Sequence, residues 1–525
     1  MSSAHGLEVE RKYSVGDNDE LPDFTLINGV HRVGAAVDQE LEAVYFDTAT
    51  LALAARGITL RRRAGGSDPG WHLKLPVAAG ERREIMEPLN RDPDTDADPV
   101  PETETDPSAD LEAVPARLKD LVLVHTRGQD LVPIADMKTR RTVIHLIATD
   151  GRILAEFSND FVEAQILQEP TESSAWREWE IELVRGNRKL LESADAVVVS
   201  HGHQRADLPS KLARALGGRY PAEMPPPPPP RRNGPASAVL VAYLFEQVEA
   251  LKTQDQAFRE GVPDAVHQLR VAARRMRSAL ATFGELIEKG AAKPLREELH
   301  WLAGTVGTAR DLEVTRAQLV SLLNAEPPDR EVALARDWLE EQLDAEHATA
   351  LASGLSALSS DRYFRLLDAL DDFLASPPLT SQAQKAAERT VGRLVNAERK
   401  RLKGAVKKFA GLTTEQAANL ALHEARKSAK RLRYAAEAAV TIFGKQAVTL
   451  ASAAEDIQTI LGDHQDSVVI REKLRSLVAV SAVGGAALGF TCGRLHALEQ
   501  LRGAESRALF TGVWQQSPPR ALHWE

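Results

Sequence analysis

Six consecutive prolines, Pro225 to Pro230, constrain this chain more than any other feature. Proline has no backbone N–H and fixes φ, so such a run continues neither a helix nor a sheet and favours an extended polyproline II spacer. The pattern changes across it. Before the run, "AVYFDT", "GITLRRR", "WHLKLP", "REIMEPL", "DMKTRRTVIHL", "RILAEFSNDFVEAQIL" and "WREWEIELVRG" read as strands broken by Gly, Pro and Asp. After it, the chain is rich in Ala, Leu, Arg and Glu at helical spacing. A length of 525 residues is too great for one core. The expectation is a multidomain α+β protein: antiparallel β with some helix over 1–220, a linker over 221–235, and an all-α domain over 236–525. The acidic, proline-rich stretch "RDPDTDADPVPETETDPSADLE", 91–112, reads as an exposed loop.

Bulk numbers exclude some functions. A formal charge of −10 argues against non-specific DNA binding by the whole molecule, while leaving local patches open. Cys492 is the sole cysteine, which excludes an intramolecular disulfide and a multi-cysteine metal site and suits a reducing compartment. The start, "MSSAHGLEVERKY", has no apolar signal region. Ser476 to Gly493 carries no charge but is only marginally long enough to span a bilayer, and Gly484-Gly485 interrupts it. A buried helical hairpin is expected there. The protein is expected to be cytoplasmic, with no membrane partner and no sequence-specific nucleic acid.

In "LEVERKY", residues 7 to 13, Glu8, Glu10 and Lys12 share one face of a strand. A lone strand of this kind is an ordinary solvated face. The habit recurs, however. Arg61 pairs with Arg63, His72 with Lys74, Arg82 with Glu84 and Lys138 with Arg140, and Glu178, Glu180 and Glu182 alternate near the end of the first half. Alternation cannot decide between a solvated face and the lumen of a closed barrel. Acids concentrate on the first and last strands and bases on the middle ones. That distribution suits a polyanion bound through a divalent metal: carboxylates hold Mg²⁺ or Mn²⁺, and Arg and Lys hold phosphate oxygens. No P-loop and no nucleophilic Ser or Cys arrangement is present, so a covalent phosphoenzyme is not suggested.

Glu8-Val9-Glu10-Arg11-Lys12 has the form ExExK, and residues 5 to 220 resemble the CYTH family, the triphosphate tunnel metalloenzymes. The resemblance runs in order through "YFDT" at 45–48, Arg61 and Arg63, "WHLKL", Arg82 with Glu84, Lys138 with Arg140, Asp160 and "EIEL" at 180–183. "LPSKLARAL", with Lys211, is similar to the family's closing helix. The resemblance implies an eight-stranded antiparallel β tunnel barrel with its charges inside. It implies that Glu8, Glu10, Glu180 and Glu182 are metal ligands for Mg²⁺ or Mn²⁺, with the first pair facing the second across the barrel. Lys12, Arg61, Arg63, Lys74, Arg82, Lys138 and Arg140 are implied as a phosphate cradle. Asp160 is either a further ligand or a turn residue, and Glu178 is a candidate for the rim. Glu84 either holds a metal-bound water or pairs with Arg82, His72 reads as a hydrogen-bonded wall residue, and Arg62 points outside. Glu8, Glu10, Lys12 and Glu84 are then the catalytic candidates. The implied reaction is metal-dependent hydrolysis of inorganic triphosphate (tripolyphosphate). The family also holds thiamine triphosphatases, nucleoside triphosphatases and adenylate cyclases. A polyphosphate-binding scaffold with a vestigial tunnel is the non-catalytic alternative.

The second half repeats itself: "VHQLRVAARRMRSAL" from 266 is matched by "LHEARKSAKRLRYAA" from 422, and "LAGTVGTARDLEV" by "IQTILGDHQDSVV". A pseudo-symmetric helical bundle is expected. At 100° per residue, His267, Arg270, Arg274 and Arg277 fall within a stripe of about 80°. His423, Arg426, Lys430 and Arg433 share that spacing. This resembles the CHAD family, conserved-histidine α-helical domains, over roughly 236–510. A third stripe is Lys385, Arg389, Arg393, Lys400, Lys403 and Lys407, with only Glu388 and Glu398 as acids between Ser381 and Phe409. Three basic stripes suggest a polyanion groove, and the resemblance implies inorganic polyphosphate as the ligand and polyphosphate granules as a place of association. The histidines read as structural or phosphate-contacting, since no second metal ligand sits at suitable local spacing.

Overall fold

The computed structural model describes residues 5–78, 80–89, 113–222, 225–327, 330–480 and 485–524. The acidic stretch at 91–112 lies outside the described residues. Contacts separate two compact units between Pro225 and Pro226, and Pro225 to Pro230 carry no helix or strand.

The first unit is built on ten strands: β1 (His5–Val15), β2 (Arg32–Val33), β3 (Val37–Asp47), β4 (Thr59–Ala64), β5 (Gly70–Ala78), β6 (Glu81–Glu87), β7 (Val132–Ile147), β8 (Ile153–Ile166), β9 (Glu172–Leu183) and β10 (Gln204–Arg205). Eight of them close into an antiparallel barrel in the order β1-β6-β5-β4-β3-β7-β8-β9, with β9 pairing back onto β1. The short β2 and β10 add to β7 and β1. Register decides which side chains share a face, because directly opposed residues point the same way. Lys12 stands opposite Glu180, Glu10 opposite Glu182, Glu8 opposite Arg82, Lys74 opposite Glu84, and Arg61 opposite Tyr45. These faces form the lumen.

The alternate residues form the dry layers outside. Phe157, Trp179 and Ile181 pack under α2 (Arg188–Ser200), and Leu60, Trp71, Leu73 and Ile85 under α1 (Ala116–Thr126). The barrel therefore buries apolar side chains on its outer face and keeps polar ones inside. One end is filled by α3 (Lys211–Leu216), whose Leu212, Ala215 and Leu216 pack with Ala43, Met137, Val162 and Trp176 of the strands. Ser210 caps α3 by accepting the Ala213 N–H at 3.0 Å. That cap sets Lys211 at the tip of the plug.

The second unit is all helical: α4 (Ala236–Arg259), α5 (Ala265–Thr282), α6 (Ala292–Thr305), α7 (Gly307–Ala325), α8 (Arg330–Leu358), α9 (Asp361–Ala375), α10 (Ala387–Phe409), α11 (Glu415–Ala438), α12 (Val440–Phe443), α13 (Lys445–Val480) and α14 (Gly485–Gln516). The sequence repeat is a repeat in space. α4–α5 and α10–α11 are antiparallel pairs, and α4 lies on α10 as α5 lies on α11. Their starts bond reciprocally. The Ala236 N–H donates to the Lys385 carbonyl at 2.9 Å and the Ala387 N–H to the Gly234 carbonyl at 2.8 Å. Each repeat thus satisfies a first-turn N–H of the other. The uncharged stretch at 476–493 falls at the end of α13 and the start of α14, two helices that pack on each other. Among the described residues, no helix is long and apolar enough to cross a membrane.

Candidate functional site

Carboxylates dominate the wall formed by β1, β8 and β9. The Lys211 Nζ enters from the plug and stands 2.8 Å from Asp160, 2.8 Å from Glu178 and 2.7 Å from Glu180. Arg141 donates to both oxygens of Asp160, at 2.8 and 2.6 Å, and to Glu180 at 2.7 Å. Lys12 bonds Glu10 at 2.7 Å and also pairs with Glu180. Burial pushes the Glu180 carboxyl up, but Lys12, Lys211 and Arg141 outweigh it and hold it well below the usual range. Asp160, Glu178 and Glu180 offer oxygens within 4.8 Å of one another, a spacing that could hold a metal. That space already has a cation, the Lys211 ammonium.

Farther along the same wall the balance reverses. Glu10 and Glu182 are direct cross-strand neighbours, and Glu8 shares their face two residues away. Lys74 lies 2.6 Å from Glu8. Glu182 has no ion-pair partner among the described residues; burial, reinforced by Glu8 beside it, pushes its carboxyl up to about 8. Lys74 answers Glu8 and Lys12 answers Glu10, which leaves Glu182 as a surplus negative charge among them, and such an excess of carboxylate suits a hard divalent cation with all-oxygen ligands. Glu8, Glu10 and Glu182 are therefore the set that fits Mg²⁺ or Mn²⁺.

β4 stands four strands from β9 around the ring of eight, on the opposite wall. Here Arg61 reaches the Tyr45 hydroxyl at 3.4 Å and Arg63 pairs with the Asp68 carboxylate. The Nε atoms of both arginines are buried without a hydrogen-bond partner. Buried donors left unsatisfied are costly unless an acceptor fills the space between them. Arg82 also lines this cavity of about 250 Å³. His72 is fully buried, with Nδ1 2.9 Å from Glu84 and Nε2 3.0 Å from the Asp68 carbonyl, a wall position. Burial raises the Glu84 carboxyl, but its bond to His72 and the nearby Lys74 bring it down to about 2.

Several expectations need correction. Lys138 and Arg140 do not line the tunnel; both are exposed on the outer face, where Lys138 pairs with Glu42 at 3.6 Å. Arg141 takes the inward place, opposite Asp160. The reason is parity: Ile144 and Leu146 share the even face of β7 and pack in the outer layer, so that face cannot also be luminal. Glu8 and Glu10 do not face Glu180 and Glu182 across the barrel but lie beside them, because β1 and β9 are the closing pair. Asp160 is no turn residue: it sits in mid-β8, fully buried and held by two cations. Glu178 is not at the rim but buried, accepting the Trp176 indole N–H at 2.6 Å. Glu84 pairs with His72 and Lys74 rather than with Arg82. Arg141 and Glu156 line the cavity without having been singled out.

In the helical unit, α5 and α11 bring Arg270, Arg274, Arg426 and Lys430 together. Arg270 donates to the Gly307 carbonyl at 3.2 Å and to Asp311 at 2.5 Å. Arg426 lies 3.9 Å from Asp466 and against Gly462, the equivalent positions of the other repeat. Arg274 and Lys430 have no ion-pair or hydrogen-bond partner among the described residues. Burial, then Arg274, Arg426 and Arg270, push the Lys430 ammonium down to about 6. His423 bonds Gln465 at 2.8 Å, and burial beside Arg310 lowers His267. Arg277 bonds His300 at 2.6 Å, and Arg433 is neutralised by Glu437 and Glu455 at 2.8 and 2.9 Å. Lys385, Arg389, Arg393, Lys400, Lys403 and Lys407 stay exposed on or just before α10, with Arg393 2.6 Å from Glu285. None of these six is among the largest charges acting on Lys430 or Arg426.

Comparison with known proteins agrees with this geometry. Family models match a CYTH domain at residues 6–214 and a CHAD domain at 242–475. An uncharacterized protein of Mycobacterium tuberculosis (strain CDC 1551 / Oshkosh) is 38% identical over 513 residues, covering 94% of this chain and 93% of that one. Among solved structures, PptA from Streptomyces chartreusis is 25% identical, covers 54% of this chain and 100% of its own, and has a TM-score of 0.46. The CHAD domain from the plant Ricinus communis is 25% identical, with 56% and 97% covered and a TM-score of 0.46. The chain belongs to the CYTH family through its barrel, a triphosphate tunnel, and to the CHAD family through its helical unit.

Proposed function

We propose that the barrel hydrolyses inorganic triphosphate with a divalent metal ion, and that the helical unit binds inorganic polyphosphate. CYTH proteins are triphosphatases or cyclases and depend on metal. The observation that carries the finer reading is the opposition of the two walls: on one side carboxylates in excess of their cations, with Glu182 unpaired among the described residues, and on the other arginines with unsatisfied buried donors. A triphosphate between them would present oxygens to Arg61, Arg63 and Arg82. Glu8, Glu10 and Glu182 would hold Mg²⁺ or Mn²⁺, which supplies charge neutralisation and a polarised water. The arginines fix the phosphate chain and offset charge on the leaving phosphate, so that water can attack the terminal phosphorus in line. Lys12, tied to Glu10 and Glu180, keeps the carboxylates oriented. Tyr45 is the only phenol among the residues lining the cavity, and no Trp or Phe lines it. That lining favours a triphosphate without a base. In the helical unit, Arg270, Arg274, Arg426 and Lys430 form the polyanion site, and a cytoplasmic location, at polyphosphate granules, follows from that ligand.

The test is phosphate release from tripolyphosphate, ATP and thiamine triphosphate, with Mg²⁺ and Mn²⁺ compared. Tripolyphosphate is expected to turn over fastest. Glu10→Gln is expected to lose about 100-fold or more in metal-dependent turnover with its circular dichroism unchanged. Faster hydrolysis of ATP, or near-normal turnover in the variant, overturns the reading.

A further inference from the structure

A second group of cations lies at the start of α11, apart from the α5–α11 cluster. Arg471 and Arg475 of α13 and Arg507 of α14 surround one carboxylate, that of Glu415, the first residue of α11. Arg471 lies 2.8 Å from Glu415. His464 of α13 and His496 of α14 adjoin the same arginines. Helical spacing places His464, Arg471 and Arg475 within about 40° on α13, and His496 and Arg507 within about 20° on α14, so each helix presents one stripe to the site.

An ordinary solvated face would leave all of these groups in water. Arg471 is 8% exposed and His464 2%, whereas Arg507 and His496 are half-buried and Arg475 and Glu415 are exposed at the mouth. Arg471 Nε and His496 Nε2 are buried with no hydrogen-bond partner. Arg475 and Arg507 have no ion pair or side-chain hydrogen bond among the described residues. Three guanidinium groups therefore share one carboxylate, an imbalance that weighs most at the buried Arg471. Beside them opens a cavity of about 400 Å³ lined by Thr413, Thr414, Glu415 and Arg507 together with apolar side chains; the Thr413 and Thr414 hydroxyls can donate to an oxyanion, whereas that of Thr511 already donates to the Arg507 carbonyl at 2.9 Å. Burial and the adjoining Arg507 and Arg471 bring His464 down to about 4, which agrees with a surplus of positive charge.

We propose that this pocket is a second site for condensed phosphate, used together with the α5–α11 cluster by one extended chain. Glu415 and Arg426 are eleven residues apart on α11, about 20° around the helix and about 16 Å along it. A ligand engaging both must span that distance, so the pair of sites selects long chains over tripolyphosphate. This rests on the polyphosphate reading of the helical unit.

The test uses the whole chain and three probes: orthophosphate, tripolyphosphate and long-chain polyphosphate, each over a salt series. The variants are Arg475→Glu with Arg507→Glu, the same pair changed to Lys, and Arg274→Glu with Lys430→Glu. The first is expected to weaken long-chain binding at least ten-fold and to lower the slope of log affinity against log salt by roughly one to two, taking the nucleic-acid relation as the analogue. The Lys pair is expected to retain binding. Selectivity for long chains over tripolyphosphate should shrink in the Glu pair. Unchanged affinity and slope in the Glu pair, while the Arg274–Lys430 variant loses binding, overturns this proposal and leaves the cluster reading intact. Loss in the Glu pair alone supports the pocket and overturns the placement at α5–α11. A wild-type chain that binds no polyphosphate overturns both.

Discussion

On the proposed polyphosphate reading of the helical unit, Lys430 should make binding pH-dependent. Arg270 and Arg274 face it from α5 and Arg426 from its own helix, and these outweigh the opposing Asp466 on α13. With its ammonium down near 6, Lys430 is largely neutral at pH 7.5 in the empty site. A polyanion in the cluster restores the charge, so binding takes up a proton. The sign follows from linkage. Below pH 6 both states carry the proton and affinity is flat. Above pH 6 only the bound state carries it, and affinity falls as pH rises until the bound-state value is passed. The limiting slope is about ten-fold per pH unit, or about 1.36 kcal/mol. From pH 6.5 to 8.5 the loss approaches 100-fold. Calorimetric titration with long-chain polyphosphate at fixed ionic strength, in buffers of different ionisation enthalpy, counts the protons directly. Uptake near one proton at pH 7.5 is expected for the wild type. In Lys430→Met, uptake should drop by that proton and the steep pH dependence should vanish, which also subtracts any titration of the ligand's own end groups. An unchanged proton count in Lys430→Met would refute the argument.

Two further outcomes follow from parity and from the close approach of backbone to guanidinium. Arg141→Met leaves Asp160 and Glu180 buried and short of a partner, so urea unfolding should show a loss of about 3–5 kcal/mol and tripolyphosphate turnover should collapse. Arg140→Gln and Lys138→Gln, on the exposed face, should each stay within about 0.5 kcal/mol and keep activity; equal damage from Arg140→Gln would mean the register of β7 is wrong. At Gly307 a Cβ would stand 3.0 Å from the Arg270 guanidinium, against 3.4 Å for Gly462 and Arg426. Gly307→Val should therefore weaken polyphosphate binding several-fold more than Gly462→Ala, and the latter should gain up to about 1 kcal/mol of stability from helix propensity; binding isotherms and thermal melts of both decide it.

The fold was legible because its signals are long-ranged and redundant. Six prolines and a change of period divide the two classes of structure, and charge at alternate positions in six segments points to a closed lumen once the ordered motif set is present. The repeat from 266 and 422 was legible because its helices meet across a pseudo-twofold relation, which requires matching surfaces. What sequence could not supply was register. In "MKTRR" both Arg140 and Arg141 can be read as inward, and the deciding facts lie farther along β7, where Ile144 and Leu146 pack under a neighbouring layer.

The residues of the proposed polyanion stripes differ from one another in a way that spacing does not register. His267, Arg270, Arg274 and Arg277 share a stripe, as do His423, Arg426, Lys430 and Arg433, but only some keep a charge that nothing in the protein answers. Arg433 meets Glu437 within its own helix and Glu455 from α13; Arg277 meets His300 from α6. The α10 stripe is the converse case: strongly basic in sequence, it stays in water, where its charges are screened and need no ligand. A cation is left wanting an anion where burial and like charge coincide, as at Lys430, and that coincidence is created by elements distant in sequence. The tunnel obeys the same rule with the sign reversed: Glu180 is satisfied by three cations, while Glu182, two residues on, is left among carboxylates. Two glutamates of one "EIEL" motif thus take different parts, one holding the wall together and the other leaving it open to a metal.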